Sequence, residues 1–177
     1  MARAAELVPG GKMFVAMQAQ YDAIPGEPAK HNPSSLMFDL MCKAIRQLSD
    51  EKVISRTAYE RLTFPLYFRT LAEVKAPFED ELKGVLKLEH AATTLGKLPI
   101  RERFEQDGDV EAYVCELIPQ IRAWAEPVLQ RELELADGDM AIVDQVFERM
   151  ASLVREDPLH TLTGTILMWS LVFTKQP

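Results

Sequence analysis

Thr163-Gly164-Thr165-Ile166-Leu167-Met168-Trp169-Ser170-Leu171-Val172-Phe173-Thr174 is dense in β-branched and aromatic side chains. That composition reads as a closing β-strand, because such side chains pack well on a pleated, half-buried surface. Its most apolar part, Ile166 to Phe173, is also the most apolar run of the chain. Nowhere do uninterrupted apolar residues approach the ~18 that a membrane helix requires, so no membrane span is expected. Two further stretches supply partners for this strand. Met13-Phe14-Val15-Ala16-Met17 follows the stop signal Pro9-Gly10-Gly11, which itself ends a run of helix formers over residues 2 to 8, and Gly84 to about Thr94 reads as a strand.

Helical periodicity occupies most of the remainder. From Ser34 or Ser35, the residues Leu36, Met37, Leu40, Met41, Ala44, Ile45 and Leu48 recur at steps of three and four and line one helix face. A shorter helix is expected over Asp50 to Leu62. Phe64 to Arg69 is apolar and held extended by Pro65, after which Thr70-Leu71-Ala72-Glu73 has capping-box spacing and opens a helix with Val74, Phe78 and Leu82 inward, Pro77 kinking or shortening it. Asp109 to Glu132 carries Val110, Val114, Leu117, Ile121, Trp124 and Val128 on one stripe despite Pro119 and Pro127, and Asp139 to Arg155 presents Ile142, Val146, Phe147, Met150 and Leu153. Asp22 to Ser35, with three prolines, a glycine and Asn32, is a loop. Three strands are few for so many apolar helix faces, and the layout reads as incomplete.

Composition narrows the function classes. The 177 residues fit one domain, with 47% apolar and 27% charged residues excluding disorder and low-complexity sequence. Twenty Lys and Arg against 27 Asp and Glu give a net charge of −7, and no basic cluster is available to neutralise a phosphate backbone. No nucleic-acid partner is expected. Cys42 and Cys115 form no C-x-x-C pair and read as buried, reduced thiols, which favours a cytoplasmic location. The N-terminus meets Glu6 and Pro9-Gly10-Gly11 before any stretch long enough for a signal peptide.

Familiar catalytic motifs are missing. Gly10-Gly11-Lys12 lacks the four-residue spacing of a phosphate loop and is followed by Met13 where a hydroxyl is needed. No glycine fingerprint follows a strand, no serine sits in a nucleophile elbow, and His31, His90 and His160 are too scattered for a local metal site. Arg122 and Glu126, one turn apart, read as a surface ion pair. No catalytic residue is assigned.

Four segments carry a resemblance. Ile121-Arg122-Ala123-Trp124-Ala125-Glu126-Pro127-Val128-Leu129 and Ile142-Val143-Asp144-Gln145-Val146-Phe147-Glu148-Arg149 resemble the R-A-x-x-E-P-L and I-x-D-x-x-F-x-R runs of the SABATH family. Arg3 to Met13 is similar to the family's R-x-x-E-L-x-P-G-G-R-M turn, and Phe64 to Val74 to its I-P-x-Y-x-P-S-x-x-E-V segment. The four follow in order over essentially the whole chain. Members are S-adenosylmethionine-dependent methyltransferases acting on small carboxylic acids, such as salicylate, benzoate and jasmonate, and on xanthine nitrogens.

The resemblance implies an α/β fold (α+β as a fragment): the C-terminal part of a Rossmann-like class I methyltransferase sheet, three strands with the last inserted antiparallel between the others, and an α-helical substrate cap. It implies a single domain over 1–177, with 22–83 and 96–158 mainly helical cap and packing helices. Met1 would fall just ahead of the family's last parallel strand, so the S-adenosylmethionine motifs are expected upstream of this chain, and no cofactor-binding residue is assigned. By position, Met37, Phe38, Tyr67, Ile121 and Trp124, with Gln18 at the end of the first strand, match residues lining the acceptor pocket. They would hold a small carboxylic acid or related acceptor so that its carboxylate faces the methyl donor, a task of placement that needs no general base. Thr63 stands where members linked to a nearby metal have asparagine, so no metal is expected, and Trp124 replaces a smaller residue. The open edge of the first strand points to a homodimer or to pairing with a cofactor-bearing chain, and leaves a non-catalytic binding protein as the alternative.

Overall fold

A computed structural model describes residues 2–20, 35–133, 140–159 and 165–177. The elements in chain order are α1 (Ala2–Ala5), β1 (Lys12–Gln18), α2 (Leu36–Asp50), α3 (Arg56–Arg61), α4 (Leu71–Glu79), β2 (Leu86–Lys97), α5 (Pro99–Asp107), α6 (Val110–Glu132), α7 (Ala141–Glu156) and β3 (Thr165–Lys175). They divide into two compact units: a sheet unit of Met1–Asn32, Tyr67–Gly96 and Ile166–Pro177, and a helical unit of Pro33–Leu66 and Lys97–Thr165.

The sheet unit has strand order β1-β3-β2, so the C-terminal strand lies in the middle. β1 runs antiparallel to it in the register Lys12↔Thr174 through Gln18↔Met168. At the other flank Gln176 N–H donates to Val85 O at 3.0 Å, joining the end of β3 to the start of β2. This is the α/β arrangement expected from the sequence. Two glycines make the entry to β1: Gly10 has φ +75°, a left-handed conformation that side chains disfavour, and a Cβ on Gly11 would lie 2.8 Å from Val8 O. The alternation of β3 buries Leu167, Trp169, Leu171 and Phe173, which meet Val74 and Phe78 of α4 and Met13, Val15 and Met17 of β1. The rings of Phe78 and Phe173 stack at 4.4 Å.

In the helical unit α2, α5, α6 and α7 enclose a second core. Met41, Ala44, Ile45, Ala125, Leu129, Val143, Val146, Met150 and Val154 are all fully buried. Arg149 of α7 clamps Glu51 at the end of α2 through both guanidinium arms, at 2.7 and 2.8 Å.

Several local expectations change. The helix expected over Asp50 to Leu62 shrinks to α3, because α2 runs on to Asp50, Lys52 turns the chain at φ 64°, and Ser55 caps Ala58 N–H. α5 was not foreseen, although it has Pro99 in its first turn and the left-handed Gly108 at its C-terminal cap, the usual asymmetry of helix ends. On α6 the buried stripe passes through Ile121 to Ala125 and Leu129 rather than Trp124 and Val128. Cys42 and Cys115, expected inside, are exposed, because each sits one position beyond the buried stripe of its helix. The expected loop from Asp22 falls outside the described residues up to Ser35, as do Asp139 and the Thr163-Gly164 start of the last strand.

Candidate functional site

Met37, Phe38, Ile121 and Trp124 belong to the helical unit, and Gln18 and Tyr67 to the sheet unit. Each group has its own geometry.

In the helical unit α2 and α6 bring Phe38 and Trp124 together, their ring centroids 5.5 Å apart and tilted by 56°. Phe64, in the extended segment after α3, completes the cluster at 6.0 Å from Phe38. These are distances and tilts at which aromatic quadrupoles attract. Trp124 keeps 38% of its surface exposed, whereas Ile121, one turn earlier on α6, is 1% exposed within the core. Met37 and Phe38 are half-buried against that core. Trp124 stands out of the packed stripe because α6 buries Ala125 instead, which leaves an indole face available at the edge of a rigid helical core.

Arg122, on a different face of α6, is spoken for. Its Nε contacts Glu126 and its Nη2 contacts Asp144, both at 2.6 Å, and the guanidinium lies over the Phe147 ring. These partners raise its pKa, Glu126 foremost and then Asp144. It is a structural cation rather than one held ready for a ligand.

In the sheet unit the chain turns sharply between Tyr67 and α4. Thr70 and Glu73 form a capping box: Glu73 N–H donates to Thr70 Oγ1 at 3.3 Å, and Glu73 Oε2 receives Thr70 N–H at 2.9 Å. The exposed Tyr67 hydroxyl donates to Glu73 Oε1. The same bond holds the Glu73 carboxyl below the usual range, helped by Thr70, and pushes the Tyr67 phenol up. Arg69 lies beside the end of β1 in a parallel bridge with Ala19, and its carbonyl accepts Gln20 N–H at 3.1 Å and the Trp169 indole N–H at 2.9 Å. Gln18 is half-buried at the last position of β1.

Phe64 and Glu73 are the additions. Both stood in segments already read, but a ring contact with Phe38 and a carboxylate grip on Tyr67 depend on how the chain folds back, which local spacing does not encode.

The sequence profile of the SAM-dependent carboxyl methyltransferases matches residues 1–176. This chain belongs to that family. Caffeine synthase 1 of Camellia taliensis is 24% identical over 175 residues, covering 97% of this chain and 43% of that protein. The 3,7-dimethylxanthine N-methyltransferase CkTbS of Camellia sinensis var. assamica is likewise 24% identical over 174 residues, with the same two coverages. A structure of loganic acid methyltransferase with SAH superposes with a TM-score of 0.70 at 18% identity, over 99% of this chain and 45% of that one. This chain therefore spans less than half the length of the relatives it matches.

The end of β1 sets Ala19 beside Arg69, and Glu73 is engaged by Tyr67 and Thr70. Among the described residues no group of three or more His, Cys, Asp or Glu could hold a metal ion. No helix among them is long and apolar enough to cross a membrane.

Proposed function

We propose that residues 1–177 are the acceptor-holding part of a small-molecule methyltransferase, in which Met37, Phe38 and Trp124, backed by Ile121, grip one flat face of an apolar carboxylic acid or related heterocycle. The observation that carries this reading is the Phe38–Trp124 pair, a tilted aromatic contact whose indole stays 38% exposed on a helix otherwise packed into a core. An exposed indole next to a fixed phenyl ring supplies apolar area and stacking without the cost of ordering a loop. Within the sheet unit, Tyr67 and Gln18 are proposed as polar contacts for a ligand, Tyr67 through a hydroxyl whose proton is already directed at Glu73. This chain's contribution to rate is then placement, since an ionised carboxylate is itself the nucleophile.

Trp124 and Trp169 are the chain's two tryptophans, and Trp169 is buried at 2% exposure. Titrating the purified chain with salicylate, benzoate and a xanthine should change tryptophan emission saturably, and Trp124→Leu should abolish the response while leaving the Trp169 emission in place. A response unaltered in Trp124→Leu would remove the pocket assignment.

A second reading takes the half-exposed Phe38–Trp124 pair as a ligand grip alone: a binding protein of methyltransferase descent that holds a ligand without reacting it. Saturable acceptor binding with no methyl ester formed in the presence of S-adenosylmethionine and any cofactor-bearing partner would select it.

A further inference from the structure

We propose that the groove between α6 and α7 binds a small apolar primary amine in its protonated form, the body of the molecule on the groove floor and its N–H groups shared between the Glu148 carboxylate and the Cys115 carbonyl. The site is separate from the acceptor reading above. It uses the face of α6 that carries Cys115, Pro119 and Arg122, which helical periodicity sets opposite the face of Trp124. The groove has a volume of about 390 Å3, inside the ~300–1,000 Å3 range of small-molecule pockets. Ile118, Phe147 and Ala151 give it an apolar floor.

A proline makes the first acceptor. Pro119 sits inside α6 and has no N–H to give to the carbonyl four residues before it, which is that of Cys115. Cys115 and Pro119 are one turn apart and both line the groove, so the carbonyl that points from one toward the other lies at its wall. The proline ring crowds that oxygen and turns it outward from the helix.

Charge selects the occupant. Of the charged residues that line the groove, Arg122 and Asp144 hold each other at 2.6 Å, and Glu126 takes the other side of the arginine. Glu148 makes no ion pair among the described residues, so its carboxylate is open to a cation. Arg155, near enough to Cys115 to feel its charge, is gripped by Glu111 through both arms at 2.7 and 2.9 Å. An anion in the groove would meet Glu148 and find every neighbouring cation engaged, and a neutral apolar molecule would leave both acceptors to water. An apolar ammonium satisfies the floor and both oxygens together.

The test reads the Cys115 thiol as a reporter. Both cysteines are exposed, and Cys42, on α2, does not line the groove and serves as the internal control. The purified 177-residue chain is treated with methyl methanethiosulfonate, which modifies thiols and spares amines, in rising 2-phenylethylamine or in 3-phenylpropionate, an anion of similar shape. Mass spectrometry follows each thiol. The expected result is that the amine slows modification of Cys115 saturably, the anion does not, and Cys42 keeps its rate. Glu148→Gln should weaken the amine by about fivefold, the upper end for one exposed ion pair. Pro119→Ala supplies the missing N–H and closes the helical bond, so it should also weaken the amine several-fold while raising the melting temperature. Weaker binding in a more stable helix is an outcome that a structural role for Pro119 does not produce. No slowing at Cys115, equal slowing by amine and anion, slowing of both thiols together, or an amine affinity unchanged in either variant would overturn the proposal.

Discussion

The Tyr67 hydroxyl and the Thr70 backbone N–H converge on one carboxylate, that of Glu73, so that a helix cap and an exposed phenol are set by the same group. Because the folded state holds the Glu73 carboxyl below its ordinary range, its stabilisation is present above that ordinary range and is lost as pH falls through the depressed folded value. The Tyr67 phenol is raised, so its share is present below the ordinary phenol range and is lost as pH rises through the raised folded value. Thermal melts from neutral to acid pH should show the wild-type chain losing more stability than Glu73→Gln. Absorbance titration at alkaline pH, differenced against Tyr67→Phe, should show the phenol ionising at lower pH in Glu73→Gln. Identical curves would mean that the Tyr67–Glu73 bond does not persist in solution.

How much of this was legible depended on the range of the interaction. The Thr70-x-x-Glu73 cap, the composition of the last strand with Trp169 and Phe173, and the Pro-Gly-Gly entry to β1 are local signals that the sequence carries, whereas the central place of that strand came from the resemblance. α5 was lost because its few apolar residues, Ile100 and Phe104, are too sparse to make a period, even with Pro99 and Gly108 marking its ends. The pairings Phe38–Phe64 and Arg149–Glu51 join residues whose meeting is decided by helix packing, and no local pattern carries that information. Six acceptor positions came from resemblance alone; periodicity by itself had placed Trp124 in the core.

The error on α6 makes a sharp mutational contrast. A stripe read at steps of three and four can continue from Ile121 through Trp124 or through Ala125, and the helix takes Ala125, which is fully buried. Ala125→Leu should then overpack the core by about 1–3 kcal/mol, and Leu129→Ala should cost about 2–5 kcal/mol. Val128→Ala, half-buried, should cost clearly less than Leu129→Ala. Urea unfolding of the variants checks the order, and a larger loss at Val128 than at Leu129 would reinstate the other stripe.

Arg149 reaches Glu51 with two arms and Gln47 with a weaker contact at 3.3 Å, tying α7 to the end of α2. Lysine keeps the charge but has no planar fork, so Arg149→Lys should lower the melting temperature despite conserving net charge. The pair is solvent-accessible, and salt screens charges beyond about 8 Å at physiological ionic strength and far more closely near molar salt. The difference between wild type and Arg149→Lys should therefore narrow as sodium chloride is raised. A gap that salt leaves unchanged would assign the role to packing of the arginine stem.

Trp169 links the centre of the sheet to the turn that carries Tyr67. Its indole N–H donates to Arg69 O at 2.9 Å while the ring is buried at 2% exposure among the β1 and α4 side chains. Phenylalanine fills most of the volume but loses the donor, and a net hydrogen bond is worth about 0.5–1.5 kcal/mol. Trp169→Phe should cost at least that amount, with a further penalty for the smaller ring. Arg69 O keeps its second partner, Gln20 N–H at 3.1 Å, so the carbonyl is not orphaned and the chain should still fold. The sharper readout is local. Gln20 amide exchange should speed in Trp169→Phe beyond what the global stability change accounts for, because the indole is what holds the Arg69 segment against the end of β1. Exchange that follows global stability alone would show that the bridge between Arg69 and Ala19 is held by other contacts.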